Sequence, residues 1–304
     1  MGASATEGAS DESGAPSTAT VTSGGVSADG TGTTADTTPT DSSGTPDSSE
    51  DDDDGPGIYY DLGVIPDTPT NGNECDDKGG GKGGGGGGGG PDFSFIWVAN
   101  SQEGTVSKID TQSLEEVGRY RTRADANGSP SRTSVNLNGD VAVANRTGGV
   151  VKIISDVASC PEPGNTSSGA ADVKPFPDGC VDWFTPIAYS SNRPVAWTSG
   201  TFSGVTCRYE NTKLWTSGGN GPGQIDVMYL DGETGEIEQT VPIPEANWDG
   251  FGIYGGASDA DGNFWGSQLS VGHLVFVDVD SFDHEAYPMP LNGYGMTVDE
   301  QGRA

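Results

Sequence analysis

A repeated hairpin pattern runs through the chain from Phe93 onward. At Phe95–Asp110, an apolar run that ends in Trp97 and Val98 is followed by a polar turn and an alternating segment, which predicts a β-hairpin. The pattern lacks helical periodicity between its copies, so it is typical of a β-propeller or β-solenoid. The same order of apolar strand, glycine-containing turn and second strand recurs at Asp140–Ile153, Lys213–Asp231 and Asn263–Asp278.

Turn glycines set the spacing of this repeat. Gly139, Gly262 and Gly302 follow Asn, Asp and Gln, and Asn-Gly and Asp-Gly are strong signals of hairpin turns. Gly262 and Gly302 are 40 residues apart, and the 123 residues from Gly139 to Gly262 are close to three such intervals. Because a four-stranded blade takes about 40 to 45 residues, residues 93–304 are expected to form a β-propeller domain with about five blades and an incomplete ring.

The last repeat copy stops early. Residues 254–265 superpose without a gap on residues 294–304, and the second copy ends where the first enters its Trp265 strand. A ring cut in this way would leave an unpaired strand edge, which natural proteins avoid. We therefore expect this sequence to be a fragment truncated in mid-blade, with further residues after its end and an export signal upstream of its start.

Residues 1–92 have a different composition. They consist mainly of Ser, Thr, Gly, Ala, Pro and Asp, with an acidic run at Asp51–Asp54 and a glycine run at Gly83–Gly90. Such a segment cannot bury enough apolar surface to offset its ordering entropy. We predict a disordered, low-complexity acidic tether with a poly-glycine linker, of the kind that connects folded domains to a cell envelope.

The charge of the chain is strongly negative in both parts. The net charge is −31, of which −16 belongs to residues 1–92 and −15 to the remainder. This charge excludes a basic nucleic-acid interface. No stretch has the roughly 20 apolar residues that a membrane-spanning helix needs. The chemistry of the tail favours an extracellular or cell-envelope location.

The cysteines favour the same compartment. Cys160 and Cys180 enclose an irregular insertion, and a disulfide between them would stabilise the fold by roughly 3 kcal/mol. Cys207 is an alternative partner, or pairs with Cys75, and free thiols in a reducing compartment remain a further interpretation. No Cys-x-x-Cys pair is present to support a zinc or thioredoxin-type site.

Two segments resemble known propeller repeats. Residues 97–110 (WVAN, GTV and KID) resemble the YVTN-type repeat, and residues 254–265, with their partial copy from Tyr294, resemble the repeat of virginiamycin B lyase (streptogramin lyase)-type propellers. The second resemblance implies a magnesium-assisted lyase with a catalytic histidine in the later blades. His273 falls in a strand pattern and His284 in an outer turn, so neither matches that context and no catalytic residue is assigned.

Other candidate motifs are better explained by structure. The segment Asp259–Asn263 resembles part of a calcium loop, but its glycine is one place early and a hairpin turn is the preferred interpretation. Asp278 and Asp280 alternate as on one strand face, yet nothing else supports an acid–base pair. Four tryptophans are expected at equivalent strand positions in packing between blades: Trp97, Trp197, Trp215 and Trp265.

One candidate ligand site follows from the predicted architecture. Residues just before the innermost strand of each blade surround the mouth of a propeller channel, and here these are Arg132, Tyr254 and Tyr294. Two aromatic rings and a cation suit a protein, a peptide or a small polar ligand. We therefore interpret the chain as an exported binding or scaffold module without a catalytic site, metal or cofactor. The alternative is a lyase-like enzyme that uses magnesium and whose catalytic blades lie outside this sequence.

Overall fold

Antiparallel β-strands dominate the protein, which a computed structural model describes for residues 94–270, 272–299 and 302–304. Apart from two single-turn 3-10 helices, every regular element in these ranges is a strand. The predicted tail at residues 1–92, together with Cys75, lies outside the described residues. Within the described ranges, no helix has the length and apolar character needed to cross a bilayer.

The first half of the described chain forms two sheets. Each sheet is antiparallel, and its strands follow one another in chain order. The first sheet has three strands: β1 (Phe95–Asn100), β2 (Thr105–Asp110) and β3 (Glu116–Arg121). The second has four: β4 (Pro130–Val135), β5 (Val141–Asn145), β6 (Gly148–Ile153) and β7 (Val181–Ile187).

The second half forms two further four-stranded sheets and a small hairpin. The third sheet and the hairpin inserted into it comprise β8 (Ser191–Trp197), β9 (Thr201–Ser203), β10 (Arg208–Glu210), β11 (Lys213–Gly221), β12 (Gln224–Asp231) and β13 (Ile237–Pro242). Of these strands, β9 and β10 pair with each other as the hairpin. The fourth sheet comprises β14 (Ile253–Ser258), β15 (Phe264–Gln268), β16 (Gly272–Val277) and β17 (His284–Met289).

The sheets meet through their first strands. Strands β4, β8 and β14 each lie at one edge of their sheets, β8 contacts both β4 and β14, and β1 contacts β4. Antiparallel four-stranded sheets that radiate from adjoining first strands are the blades of a β-propeller. The predicted all-β propeller is therefore confirmed, and so are the four hairpins that the sequence pattern indicated.

The blade count is corrected from about five to four sheets in the described residues. The interval from Gly139 to Gly262 holds two repeats rather than three, because Asn211, with a φ of 56°, takes the corresponding turn position in the third sheet. Two insertions lengthen these repeats, one at residues 154–180 and one at the β9–β10 hairpin. Beyond β17, the described residues contain no strand, although Tyr294 and Gly302 repeat the order that begins a blade.

Apolar side chains pack in layers between neighbouring sheets. Trp215 is fully buried, and its Nε1 donates a hydrogen bond of 2.8 Å to the carbonyl oxygen of Gly262 in the next blade. The predicted equivalence of the tryptophans holds for Trp97, Trp215 and Trp265, which occupy the same register in the hairpins β1–β2, β11–β12 and β15–β16. It is wrong for Trp197, which ends the first strand of its blade.

The insertion between β6 and β7 is ordered by its own hydrogen bonds. The predicted Cys160–Cys180 disulfide is formed, with a Cα–Cα distance of 4.6 Å. The buried carboxylate of Asp178 accepts hydrogen bonds from the hydroxyl of Thr166 and from the backbone amides of Ser167 and Cys180. The insertion that looked irregular in the sequence is therefore a compact loop that surrounds the hydrogen-bonded carboxylate of Asp178.

One lysine lies between the first two blades. Lys108 is only 4% exposed, its Nζ donates a hydrogen bond to the carbonyl oxygen of Ser155, and it lies 3.8 Å from the ring centroid of Phe95. Burial lowers the pKa of Lys108 to about 8, although the carboxylates of Asp156 and Asp140 act in the opposite direction. The charged form of this lysine therefore costs stability in the folded state.

Lys108 should give the fold a measurable pH dependence. The pKa of Lys108 is about 8 in the folded state, against an ordinary value of 10.5 in the unfolded state. Between these two pH values the unfolded chain binds more protons than the folded chain, so the free energy of unfolding should rise with pH over this range. We expect the stability difference between wild type and Lys108→Met to grow in favour of wild type from neutral pH to above the folded pKa. Urea denaturation at neutral pH and at a pH above the folded pKa measures this stability difference. The control is Lys174→Met, which replaces a partly exposed lysine. An identical pH dependence of wild type and Lys108→Met would contradict the assignment.

Candidate functional site

The structure brings the three predicted site residues together. Arg132 lies in β4, Tyr254 in β14 and Tyr294 in the segment after β17. The guanidinium carbon of Arg132 lies 4.5 Å from the ring centroid of Tyr254 and 5.2 Å from that of Tyr294, and the two rings are 5.3 Å apart. Arg132 and Tyr254 lie inside the first strands, close to where these begin, rather than before them as the sequence predicted.

A register irregularity lies near the start of each first strand, close to Arg132 in β4 and at Tyr254 in β14. The pairing of β4 with β5 shifts between Pro130 and Arg132, and the pairing of β14 with β15 shifts between Ile253 and Gly255. The pairing of β8 with β11 shifts at the corresponding place. A β-bulge leaves a residue unpaired and redirects its side chain. In β14 this residue is Tyr254, whereas in β4 it is Ser131, which precedes Arg132. The bulges thus lie at the same end of three adjacent strands.

Arg193 belongs to the site and was missed by the sequence pattern. It lies within the bulge of β8, the position that Tyr254 occupies in β14. Its guanidinium carbon is 4.6 Å from the ring centroid of Tyr254 and 5.1 Å from that of Phe251. Alignment of the first strands by their hydrogen-bonding partners identifies it, but the bulges and the unequal repeat lengths hide that alignment in the sequence. We call Arg132, Arg193, Tyr254 and Tyr294 the Arg–Tyr cluster.

The guanidinium groups lack carboxylate partners. Among the described residues, no ion pair involves Arg132, Arg146 or Arg193. Arg193 is 5% exposed, and burial lowers its pKa, as do the nearby positive charges of Arg146 and Arg132. Its Nε and the Nη2 of Arg132 are buried without a hydrogen-bond acceptor in the described part of the chain.

The electrostatic field of the cluster acts on Tyr254. Burial by itself would raise the pKa of this phenol, which is 8% exposed. The positive charges of Arg193 and Arg132 act in the opposite direction and lower the pKa of Tyr254 below its usual value. Arg193 and Arg132 therefore place positive charge beside Tyr254, in a part of the chain whose net charge is negative.

The histidines lie away from this cluster. His284 begins the outermost strand β17, where its Nε2 lies 3.0 Å from a carboxylate oxygen of Glu245. His273 lies in β16 on the same strand as the buried residues Val275 and Val277, which agrees with its predicted strand position. Among the contacts of the described residues, none joins either histidine to Arg132, Arg193, Tyr254 or Tyr294.

The aspartate motifs form turns. Asp259 accepts hydrogen bonds from the amides of Asp261 and Asn263 and from the indole Nε1 of Trp265, which confirms the predicted hairpin turn. Asp278 accepts from the amides of Asp280 and Ser281. The strand β16 ends at Val277, so the expectation that both aspartates lie on a strand face is wrong. In the described ranges, no group of three or more His, Cys, Asp or Glu residues is arranged to hold a metal ion.

A shallow depression lies at the opposite end of the first strands. It has a volume of about 210 Å³ and is lined by residues of the third and fourth blades, among them Thr198, Lys213, Tyr229 and Asp261. This volume is below the range of about 300 to 1,000 Å³ that is usual for pockets that hold drug-sized ligands. The Arg–Tyr cluster therefore remains the stronger candidate site.

Comparison with known proteins gives structural matches alone. No protein-family model matches the chain, and no curated protein sequence does. Solved structures that match include virginiamycin B lyase from Staphylococcus aureus, at 12% identity and a TM-score of 0.44 over 66% of this chain and 55% of that one. Hydrazine synthase from Kuenenia stuttgartiensis matches at 14% identity and a TM-score of 0.46 over 70% of this chain and 57% of that one.

A third match has no assigned activity. It is a protein of unknown function from Bacteroides caccae, at 11% identity and a TM-score of 0.42, with 68% of this chain matched to 62% of that one. The chain thus spans little more than half the length of the solved lyase. The likeness to virginiamycin B lyase that the repeats indicated is found again among solved structures, where it concerns the fold.

Proposed function

We propose that this chain is an exported binding or scaffold module that holds a protein, a peptide or a small polar ligand at the Arg–Tyr cluster. The observation that carries the proposal is the convergence of Arg132, Tyr254 and Tyr294 from three separate repeats into one group of contacting side chains. Tyr294 is 67% exposed, so the group is open to solvent on one side. Exposed aromatic rings beside cations are common anchors in binding sites.

Two features of the chain support a location outside the cytosol. The Cys160–Cys180 disulfide is characteristic of oxidising compartments. The composition of residues 1–92 is that of a flexible spacer. The same features are expected of an envelope-tethered propeller, which is the form we propose.

Among the described residues, no observation favours the lyase alternative. The resemblance implies a histidine beside a magnesium ion, whereas His284 contacts Glu245 on an outer strand and His273 lies in the sheet. The Arg–Tyr cluster instead offers cations and phenols, which hold a ligand by charge and stacking. We therefore assign the cluster a binding role.

Loss of the exposed ring should weaken binding at the cluster. Ligands can be found by saturation-transfer NMR with a library of short peptides and small polar compounds. We expect these ligands to bind Tyr294→Ala about tenfold more weakly than wild type, because stacking on an aromatic ring contributes about 0.5 to 1.5 kcal/mol or more. Tyr287→Ala is the matched control, because Tyr287 is an exposed tyrosine on β17 outside the cluster. Ligand affinities that are the same in wild type, Tyr294→Ala and Tyr254→Phe would overturn the proposal, as would the absence of any ligand.

A further inference from the structure

We infer that the Arg–Tyr cluster selects oxyanions, and that its ligand presents a carboxylate or a similar oxyanion group to Arg193 and Arg132. This inference rests on the proposed function for the place of binding and adds the chemical class of the ligand. It starts from a contrast in charge. The described fold belongs to a part of the chain with a net charge of −15. Yet Arg146 and Arg132 lie close enough to act on Arg193, and none of the three has a carboxylate partner among the described ion pairs.

Both arginines lie over aromatic rings. The guanidinium carbon of Arg193 lies within 5.1 Å of the ring centroids of Tyr254 and Phe251, and that of Arg132 within 5.2 Å of those of Tyr254 and Tyr294. Stacking of this kind satisfies the flat face of a guanidinium. The N–H groups point outward in the plane of the group, and a long hydrogen bond of 3.4 Å joins the Nε of Arg132 to the carbonyl oxygen of Tyr254. These ring contacts help to hold the arginines, but the Nε of Arg193 and the Nη2 of Arg132 have no acceptor among the described residues.

Two of the guanidinium nitrogens are buried without an acceptor among the described residues. They are the Nε of Arg193 and the Nη2 of Arg132, and Arg193 as a whole is 5% exposed. A buried donor without an acceptor costs about 1 to 3 kcal/mol, and more when it is charged. The positive charges of Arg132 and Arg146 add repulsion to this cost at Arg193. An arrangement with such a cost is typical of a binding site in which the ligand supplies the missing acceptor.

The missing acceptor should be an anion with at least two oxygens. A guanidinium presents its N–H groups as a planar fork that fits carboxylate, sulfate and phosphate oxygens, and charge-assisted hydrogen bonds are roughly twice as strong as neutral ones. The exposed ring of Tyr294 beside Arg132 adds a surface for a flat apolar group. The ligand class is therefore an oxyanion, and an aromatic carboxylate combines both features in a simple probe.

The test compares the affinity of the protein for four probes: benzoate, benzamide, inorganic sulfate and inorganic phosphate. Benzamide has the shape of benzoate without its charge. In wild-type protein at low ionic strength, benzoate should bind about tenfold or more tightly than benzamide, as expected for hydrogen bonds to a charged group. It should also shift the Nε–Hε NMR signal of an arginine that Arg193→Met removes. Sulfate and phosphate show whether any oxyanion is accepted or whether a carboxylate is preferred.

Arg193→Met tests the residue, and Arg123→Met is the matched control. Both remove one positive charge, but Arg123 is a partly exposed arginine paired with Asp125 outside the cluster. Arg193→Met should bind benzoate about tenfold or more weakly, and Arg123→Met should bind it as wild type does. Because Arg193→Met removes a buried charge without a counter-ion, its unliganded form should melt at the wild-type temperature or higher, which separates lost binding from lost folding.

The outcomes distinguish this inference from the function on which it rests. If benzoate and benzamide bind equally and both need Tyr294, the binding site stands and the selection of anions is wrong. If none of the four probes binds, or if Arg193→Met binds benzoate as tightly as wild type, the inference is overturned. If the library ligands also bind independently of Tyr294, the proposed function fails with it.

Discussion

Replacing Trp215 with alanine should lower the free energy of unfolding by about 4 kcal/mol, a loss at the upper end for a single core substitution. The indole is fully buried between the third and fourth blades, with its ring centroid 4.4 Å from that of Tyr229 and 5.7 Å from that of Phe264. Its Nε1 also donates the hydrogen bond to Gly262 that joins the two blades. Truncation leaves a cavity and an unpaired carbonyl oxygen.

Trp265 provides a control at the same register in the next blade. It donates one hydrogen bond, to a carboxylate oxygen of Asp259 at 3.0 Å, and its ring lies 4.7 Å from that of Phe276, but it is only partly buried. Trp265→Ala should therefore cost clearly less than Trp215→Ala in urea denaturation followed by circular dichroism. Equal losses would mean that burial between blades does not decide the contribution of these tryptophans. Trp215→Phe should recover part of the loss.

The Cys160–Cys180 bridge should contribute about 3 kcal/mol, as the chain-entropy model gives for a loop of this length. The two cysteines are 20 residues apart, both are buried, and the loop between them is held by Asp178. Cys160→Ala/Cys180→Ala should shift the urea midpoint downward and expose residues 161–179 to proteolysis before the sheets unfold. The loop has few apolar contacts of its own, so it should open first.

Single variants separate the bridge from the packing of the sulfur atoms. Cys160→Ala breaks the bridge and keeps the buried sulfur of Cys180, so it should lose nearly as much stability as the double variant. A double variant that loses much more than Cys160→Ala would assign the effect to packing. An unchanged midpoint in both would show that the hydrogen bonds around Asp178 are sufficient to hold the loop.

The strands could be predicted because their signals are local. The hairpin at Phe95–Asp110 and its three copies combine alternation with glycine turns, and each forms as predicted. The number of blades depends instead on how far apart related turns lie along the chain. Residues 154–180 and the β9–β10 hairpin extend two repeats, so the interval from Gly139 to Gly262 imitated three regular repeats.

The sequence predicted only part of the candidate site, because insertions and bulges obscure which positions of the repeats correspond. Tyr254 and Tyr294 belong to copies that superpose without a gap, so their proximity followed from the repeat. Arg132 was placed near them by its position before the second hairpin, and its ring contacts now support that placement. Arg193 stayed hidden because a bulge offsets it from its equivalents and an insertion follows its strand.

The sequence by itself determined the all-β class, the repeat, the disulfide candidates and the general place of the site, since alternation, turn residues and cysteine spacing act over a few residues. The tertiary structure decided the blade count, the order of the insertion around Asp178 and the membership of Arg193 in the cluster. It also showed that one guanidinium nitrogen of Arg193 and one of Arg132 are buried without an acceptor in the described part of the chain. These properties depend on contacts between residues far apart in the chain, and burial and charge at such contacts exist only once the blades have packed.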